Sequence, residues 1–300
     1  MNVYKLSVKT QGYYLIEKDS YEQKTTRRPP WYKTNDGGNP IYFAICPACN
    51  NPVQIIGLYK LPANIHHPYG KHYGKSVPGV GIYDQEAYNG CPYSNKKKTS
   101  DDGRPKRPPS LLTQQILSIL MDHFDKIVWL LSKSTGVSID ETLARNMLVQ
   151  YKREEGWRYS RATLMNIPWA FAYMTDNQAI LFKNMGDASL AEELVAQAQG
   201  YLELKNGYLV KPPTCRDFIE LGIYYTQHQS IVTDDILNES MDMVFTLKVG
   251  YTEPREIYRK SLRFDFDYFN NLVNFSRWET SPRNEQLLQL AREILGEVLA

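Results

Sequence analysis

No stretch of the chain is apolar for long enough to cross a membrane. The longest such runs, at 116–120 and 127–131, are broken by Asp122, His123, Asp125 and Lys126. They fall far short of the ~20 apolar residues that a spanning helix needs. The opening residues Met1-Asn2-Val3-Tyr4-Lys5-Leu6 carry no apolar core of the kind a secretory signal requires. The sequence also lacks a dinucleotide fingerprint, a nucleophile elbow, a HExxH pair and internal repeats. Cysteine is scarce: the four in 300 residues are too few for a disulfide scaffold. Three of them crowd into one stretch, which points to metal ligation in a reducing compartment. The expectation is a cytoplasmic protein. Hydrophobic residues at 42% and charged residues at 23% suffice for a folded core.

The net charge of +2 conceals an asymmetry. Residues 1–110 hold 16 Lys and Arg against 8 Asp and Glu, while residues 111–300 hold 19 against 25. The first 110 residues also contain 12 of the 22 tyrosines. A basic, aromatic-rich part beside an acidic one suggests a polyanionic partner for the former.

The stretch from Cys46 to Cys91 carries the chemistry. Cys46-Pro47-Ala48-Cys49 is flanked by β-prone runs at 41–45 and 53–59, the layout of a zinc ribbon. Such a knuckle sets two thiolates on one tight turn, where both reach a single tetrahedral ion. Two further ligands are needed. One set adds His67 and His72, but Pro68, Gly70 and Gly74 argue against a helix that would present them together. The favoured set is Cys46, Cys49, His72 and Cys91, with His67 as the substitute for His72. Cys91 follows the natural turn Asn89-Gly90 and precedes a proline, as Cys46 does. Three thiolates and one imidazole close the coordination sphere, so the expected zinc is structural. Asp84 and Glu86 are the local carboxylates that a catalytic metal would call on, and a short solvated helix accounts for them. Gly70-Lys71-His72-Tyr73-Gly74-Lys75-Ser76 imitates a phosphate loop, but it has three residues between its glycines where four are required.

Upstream, residues 3–9 alternate as a half-buried strand does, and 13–16 is a second β-prone run. The proline-interrupted segment 24–33 is an extended loop that brings Arg27, Arg28 and Lys33 beside Trp31. Together with Lys71, Lys75, Lys96, Lys97 and Lys98, these residues form the candidate nucleic-acid contacts, cations for phosphates and a ring for base stacking. The competing reading of Trp31 is core packing.

Residues 96–109 are polar, basic and proline-rich, the best domain boundary. The expected architecture is α+β, with a small β-rich zinc-ribbon-like module over 1–95, a linker over 96–109 and a mostly helical domain over 110–300. A long helix is expected from an N-cap at Ser110 to Gly136, and Ser138 to Glu141 reads as a capping box opening a second. Pro168 is expected to break a helix near Ala162. The run 201–211 alternates about Asn206-Gly207, a hairpin signal. A winged-helix reading of it fails, because the helix before it offers Glu192 and Glu193 to phosphate. Further helices are expected over 216–227, 233–248, 253–261, 265–275 and 282–299, with Asp234 and Asp235 at one helix start, Ser281 capping the last and Pro282 in its first turn. His123 and His228 read as lone packing histidines on helices, and Cys215 as a buried thiol away from the metal.

The functional expectation is a zinc-stabilised protein without catalysis of its own, which binds nucleic acid or docks on a nucleoprotein through its basic module. The alternatives are a protein-interaction subunit with purely structural zinc, bound through its acidic helical part, and a metal-dependent hydrolase with dispersed site residues.

Overall fold

A computed structural model of the chain describes residues 1–94, 99–100, 103–274 and 283–299. Lys96, Lys97, Lys98, Ser281 and Pro282 lie outside the described residues.

The N-terminal third is built from short antiparallel strands. β1 (Val3–Tyr4) pairs with β2 (Tyr14–Leu15), and α1 (Lys18–Thr25) follows. A four-stranded sheet then runs in the order β3 (Tyr32–Thr34), β4 (Pro40–Ile45), β5 (Pro52–Ile56) and β6 (Tyr69–His72). Asn35 closes the β3–β4 turn, its Oδ1 accepting the N–H groups of Gly37 and Asn39. The knuckle at 46–49 is the β4–β5 turn, as the strand-turn-strand pattern required. α2 (Gln85–Asn89) is one short helix, and β7 (Thr99–Ser100) crosses to a different sheet.

A helical layer comes next. α3 (Leu111–Asp122) starts at Ser110, whose hydroxyl accepts from Thr113 N–H while the Thr113 hydroxyl takes Ser110 N–H. The helix does not run on to Gly136 as expected. His123 leaves helical geometry (φ −130°, ψ 24°), and α4 (Phe124–Thr135) begins afresh, ending at Gly136 with φ +74°. The capping box expected at Ser138 is also absent. Ser138 N–H donates to Asn184 O, and Asp140 caps α5 (Glu141–Arg153) by accepting from Leu143 N–H. Pro168 does not break a helix: it occupies the first turn of α6 (Ile167–Tyr173), where a missing N–H costs nothing. β8 (Gln178–Ala179) leads to α7 (Ala188–Gln197), capped by Asp187. β9 (Glu203–Lys205) and β10 (Tyr208–Val210) form the expected hairpin, with Asn206 and Gly207 at φ +52° and +83°.

The largest departure lies beyond Ile219. The helices expected over 216–227, 233–248 and 253–261 are three long strands: β11 (Ile219–Thr233), β12 (Ile236–Val249) and β13 (Arg255–Arg263). β11 and β12 pair from Ile219↔Val249 to Thr233↔Ile236, with one bulge between Thr226 and Gln229. Asp234 and Asp235 do not cap a helix. Both have positive φ (50° and 63°) and form the two-residue turn of this hairpin. Burial has period two from Leu237 through Glu239 and Met241 to Met243, and from there to Leu247 both faces of the strand are covered. The chain closes with α8 (Phe266–Asn274), capped by Asp265, and α9 (Glu285–Leu299), capped by Asn284. The protein is thus α+β, with helices α3 to α6 and α9 packed together and antiparallel sheets beside them.

A connected buried cluster reaches from Met1, Tyr4 and Val53 through Leu120 and Trp169 to Phe245 and Leu295. Trp169 lies flat on Phe264, with ring centroids 4.9 Å apart. Several polar ties join the first 95 residues to the rest. Leu164 N–H donates to Ala48 O, Gln115 Nε2 to Val8 O, and Tyr13 OH to Asp267 at 2.6 Å. Residues 103–109 are not a simple solvated tether. Arg107 is buried, and its Nη2 donates to the carbonyls of Tyr159 (3.1 Å), Ser160 and Ala162 (2.7 Å). Among the described residues no helix is long and apolar enough to cross a membrane.

Candidate metal centre

The β4–β5 turn delivers Cys46 and Cys49, β6 ends on His72, and the turn after α2 brings in Cys91. The antiparallel register makes the convergence: Val53, just past the knuckle, pairs with His72, and the edge strand thereby places its imidazole over the turn. The four candidate ligand atoms lie within 4.8 Å of one another. Cys46 Sγ is 3.7 Å from Cys91 Sγ, and His72 Nε2 is 3.4 Å from Cys49 Sγ and 3.7 Å from Cys91 Sγ. A tetrahedral ion with metal–sulfur bonds of about 2.3 Å and a metal–nitrogen bond of about 2.0 Å would hold two sulfurs about 3.8 Å apart and sulfur and nitrogen about 3.5 Å apart. Those three spacings match these edges. All four cysteines are free thiols, and the three in the cluster are buried. His67 stands elsewhere, with Nε2 3.6 Å from Asp235, so the choice left open between His67 and His72 falls to His72.

The surroundings suit an anionic centre. Burial opposes ionisation of all three thiols, yet hydrogen bonds from Cys49, Cys91 and the backbone of the knuckle hold Cys46 well below the ordinary thiol range. Burial and then Cys46 push Cys49 up, against Cys91 and His72, and burial followed by Cys46 and Cys49 pushes Cys91 well up. Two buried cations flank the cluster. Lys5, hydrogen-bonded to Thr10 O at 3.3 Å, is pushed down to about 8 by burial, while Cys46 and Cys49 pull it back up. Arg107 is likewise lowered by burial and raised by Cys49 and Cys91. Asn51, fully buried, donates Nδ2 to Cys49 Sγ at 3.4 Å and binds the backbone of Asp84 on both sides. Lys5, Asn51 and Arg107 escaped the sequence reading. Lys5 occupies a position that alternation assigns to solvent, and Arg107 lies in a stretch that composition marks as linker. Asn51, two residues past Cys49, was the one available hint.

The remaining candidate residues scatter. Asp84 caps α2 through Ala87 N–H, so it is committed to the helix start, and Glu86 is exposed. Arg27 pairs with Glu22, and Arg28, Lys71 and Lys75 are exposed. Lys33 donates to Pro78 O at 3.1 Å. Trp31 is half-buried against the core. Cys215 is half-buried, His123 sits at the α3–α4 break, and His228 is buried on β11. The structure adds an aromatic face that sequence order hides. Tyr21, Tyr32, Tyr42 and Tyr59 form a ladder with successive ring centroids 5.0–5.6 Å apart. Lys18 lies 5.3 Å from the Tyr59 ring and Lys24 3.9 Å from the Tyr14 ring.

Comparison with protein-family profiles, characterised proteins and solved structures returned no match.

Proposed function

We propose that Cys46, Cys49, His72 and Cys91 hold a structural zinc ion in a zinc-ribbon-like turn, and that the protein uses the surface it stabilises to bind nucleic acid without catalysis of its own. The convergence of the four ligand atoms within 4.8 Å, three of their spacings matching the edges of a tetrahedron, carries the metal reading. Soft thiolates with one imidazole favour zinc, and four protein ligands leave no position for a substrate or water. That closure speaks against a metal-dependent hydrolase.

The nucleic-acid reading rests on the juxtaposition of cations and exposed rings around α1. Tyr14 and Tyr59 are 43% and 44% exposed, each with a lysine against its face, and Arg27 and Arg28 follow at the helix end. Rings and cations so arranged suit a single strand, whose bases stack while its phosphates are neutralised. Fluorescence anisotropy with single- and double-stranded DNA and RNA tests this. The expected result is binding that weakens as salt rises, and weakens further in an Arg27→Glu/Arg28→Glu variant. No binding at low salt, or binding indifferent to that charge reversal, refutes it.

A second reading, docking to a protein partner, is favoured by a different feature. A cleft of about 790 Å³ beside Cys49 is flanked by Ile82 and Leu111, 73% and 74% exposed. Loss of a co-purifying protein on Ile82→Asp, with no nucleic-acid affinity in either form, would favour it over the first.

A further inference from the structure

A cleft of about 360 Å³ opens between the β1–β2 pair, the start of β12 and the corner that leads from β13 into α8. Its size falls within the roughly 300–1,000 Å³ of small-molecule sites. Several of the polar groups that line it are left without partners by the fold.

Arg263, the last residue of β13, is exposed, and its side chain makes no ion pair or hydrogen bond among the described residues. The carboxylates of Asp265 and Asp267 follow it into the same cleft, and neither pairs with it. Asp265 Oδ1 accepts from Tyr268 N–H at 2.9 Å, and Asp267 Oδ1 accepts from Tyr13 OH at 2.6 Å. These bonds orient both groups and leave the Oδ2 of each uncommitted. The side-chain amide of Asn238 is likewise unpartnered. The least exposed polar side chain of the lining is Tyr93, at 7%. Its hydroxyl has no hydrogen-bond partner among the described residues, yet it is not sealed in as that of Tyr4 is. Half-buried Phe266 adds an aromatic ring to the wall.

A nearly buried hydroxyl, a guanidinium and two oriented carboxylates, unpaired with one another, call for a ligand with donors and acceptors side by side. One cation against two anions disfavours a phosphate here, and the guanidinium disfavours a plain ammonium. A neutral planar base avoids both penalties. Guanine presents N1–H and N2–H2 as adjacent donors, which suit a carboxylate, and O6 and N7 as adjacent acceptors, which suit a guanidinium. Adenine lacks the ring N–H and the carbonyl, and the pyrimidines lack N7. We propose that this cleft binds an unpaired guanine base, with O6 and N7 on Arg263 and N1–H and N2–H2 toward the carboxylates of Asp265 and Asp267. Leu15, on its rim, follows Tyr14, whose ring lies 3.9 Å from Lys24, so the cleft adjoins the surface proposed for a single strand. The chemistry stands on the cleft itself; that the base belongs to a strand rests on the nucleic-acid reading.

Isothermal titration of the intact protein with GMP, AMP, CMP and UMP tests it. GMP should bind one-to-one with Kd below about 1 mM, and about tenfold or more tighter than the other three. IMP, which lacks the N2 amine, and 7-deaza-GMP, which lacks N7, should each bind about fivefold or more weakly than GMP. In Arg263→Gln, GMP should weaken to the level of 7-deaza-GMP. Tyr93→Phe, which removes only the hydroxyl, should weaken GMP about threefold or more. A thymine-rich strand with one guanine, set against the same strand without it, distinguishes the sources. Tighter binding of the first puts the base in a strand, whereas GMP binding without that preference assigns the cleft to free nucleotides. GMP binding with no affinity for either strand removes the nucleic-acid reading alone. No GMP binding below about 5 mM, equal affinity for the four nucleotides, or GMP affinity unchanged in Arg263→Gln would each overturn the proposal.

Discussion

Removal of one metal ligand is the sharpest perturbation available. In His72→Ala the tetrahedron loses its imidazole, while Cys46, Cys49 and Cys91 remain buried. Structural zinc in small modules binds with an apparent free energy of about 10–16 kcal/mol at neutral pH. A whole domain is stable by only about 5–15 kcal/mol. Much of the local order of the knuckle, β6 and the turn after α2 should therefore depend on the ion, since strands as short as β3 and β6 bury little surface by themselves. The prediction is that purified protein carries one zinc per chain by elemental analysis, and that a strong chelator lowers its melting temperature by more than 10 °C. His72→Ala should lose the metal and melt low without chelator. His67→Ala, 3.6 Å from Asp235 and outside the cluster, should keep both metal and melting temperature. Cobalt substituted for zinc should give thiolate charge-transfer bands and the visible absorption of a tetrahedral ion. Protein that is metal-free as purified and indifferent to chelator, or a His67→Ala variant as damaged as His72→Ala, refutes the reasoning.

Lys5→Met removes a buried cation beside the thiolates and should lower metal affinity by about 10–100-fold in chelator competition, the usual size of an outer-shell effect; unchanged affinity would count against the electrostatic role. Gly156→Ala would drive a methyl group into the ring of buried Tyr151 and should cost about 1–3 kcal/mol in urea unfolding. His123 is pushed down to about 4, chiefly by burial and then by Lys126. Its proton is taken up more readily in the unfolded chain, so its stabilising contribution is full above about pH 6.5 and falls away as the pH drops toward 4. Because the ring is partly exposed, the loss should be no more than about 1–3 kcal/mol. Replacement by glutamine should flatten the difference between unfolding at pH 7 and pH 4.5 relative to the parent, and an identical slope in both proteins would exclude it.

The candidate metal ligands were legible because their geometry is local. A CPxC turn between two β-prone runs fixes two thiolates whatever the rest of the chain does, and the turn ahead of Cys91 marked the third. The His67 or His72 ambiguity was not local: it needed the β5–β6 register, which pairs Val53 with His72. The hairpin at Asn206-Gly207 and the helix start at Ser110 were readable for the same reason, since each depends on a few adjacent residues. The β11–β13 sheet was not. Residues 219–263 carry apolar side chains densely enough to satisfy both a period of two and a period near 3.6, and Asp234-Asp235 suits a helix start as well as a turn. Only packing of the alternate side chains from Leu237 to Met243, and of both faces from there to Leu247, selects the strand.

Taken alone, the sequence determined the α+β class, the ligand types and the unequal charge of its two parts, because these follow from composition and from contacts among near neighbours. Tertiary structure decided which histidine joins the thiolates, that Lys5 and Arg107 are buried beside them, and that Glu239 and His228 meet across two strands. Those are distances between residues far apart in the chain, and they exist only once the sheets have chosen their partners and register.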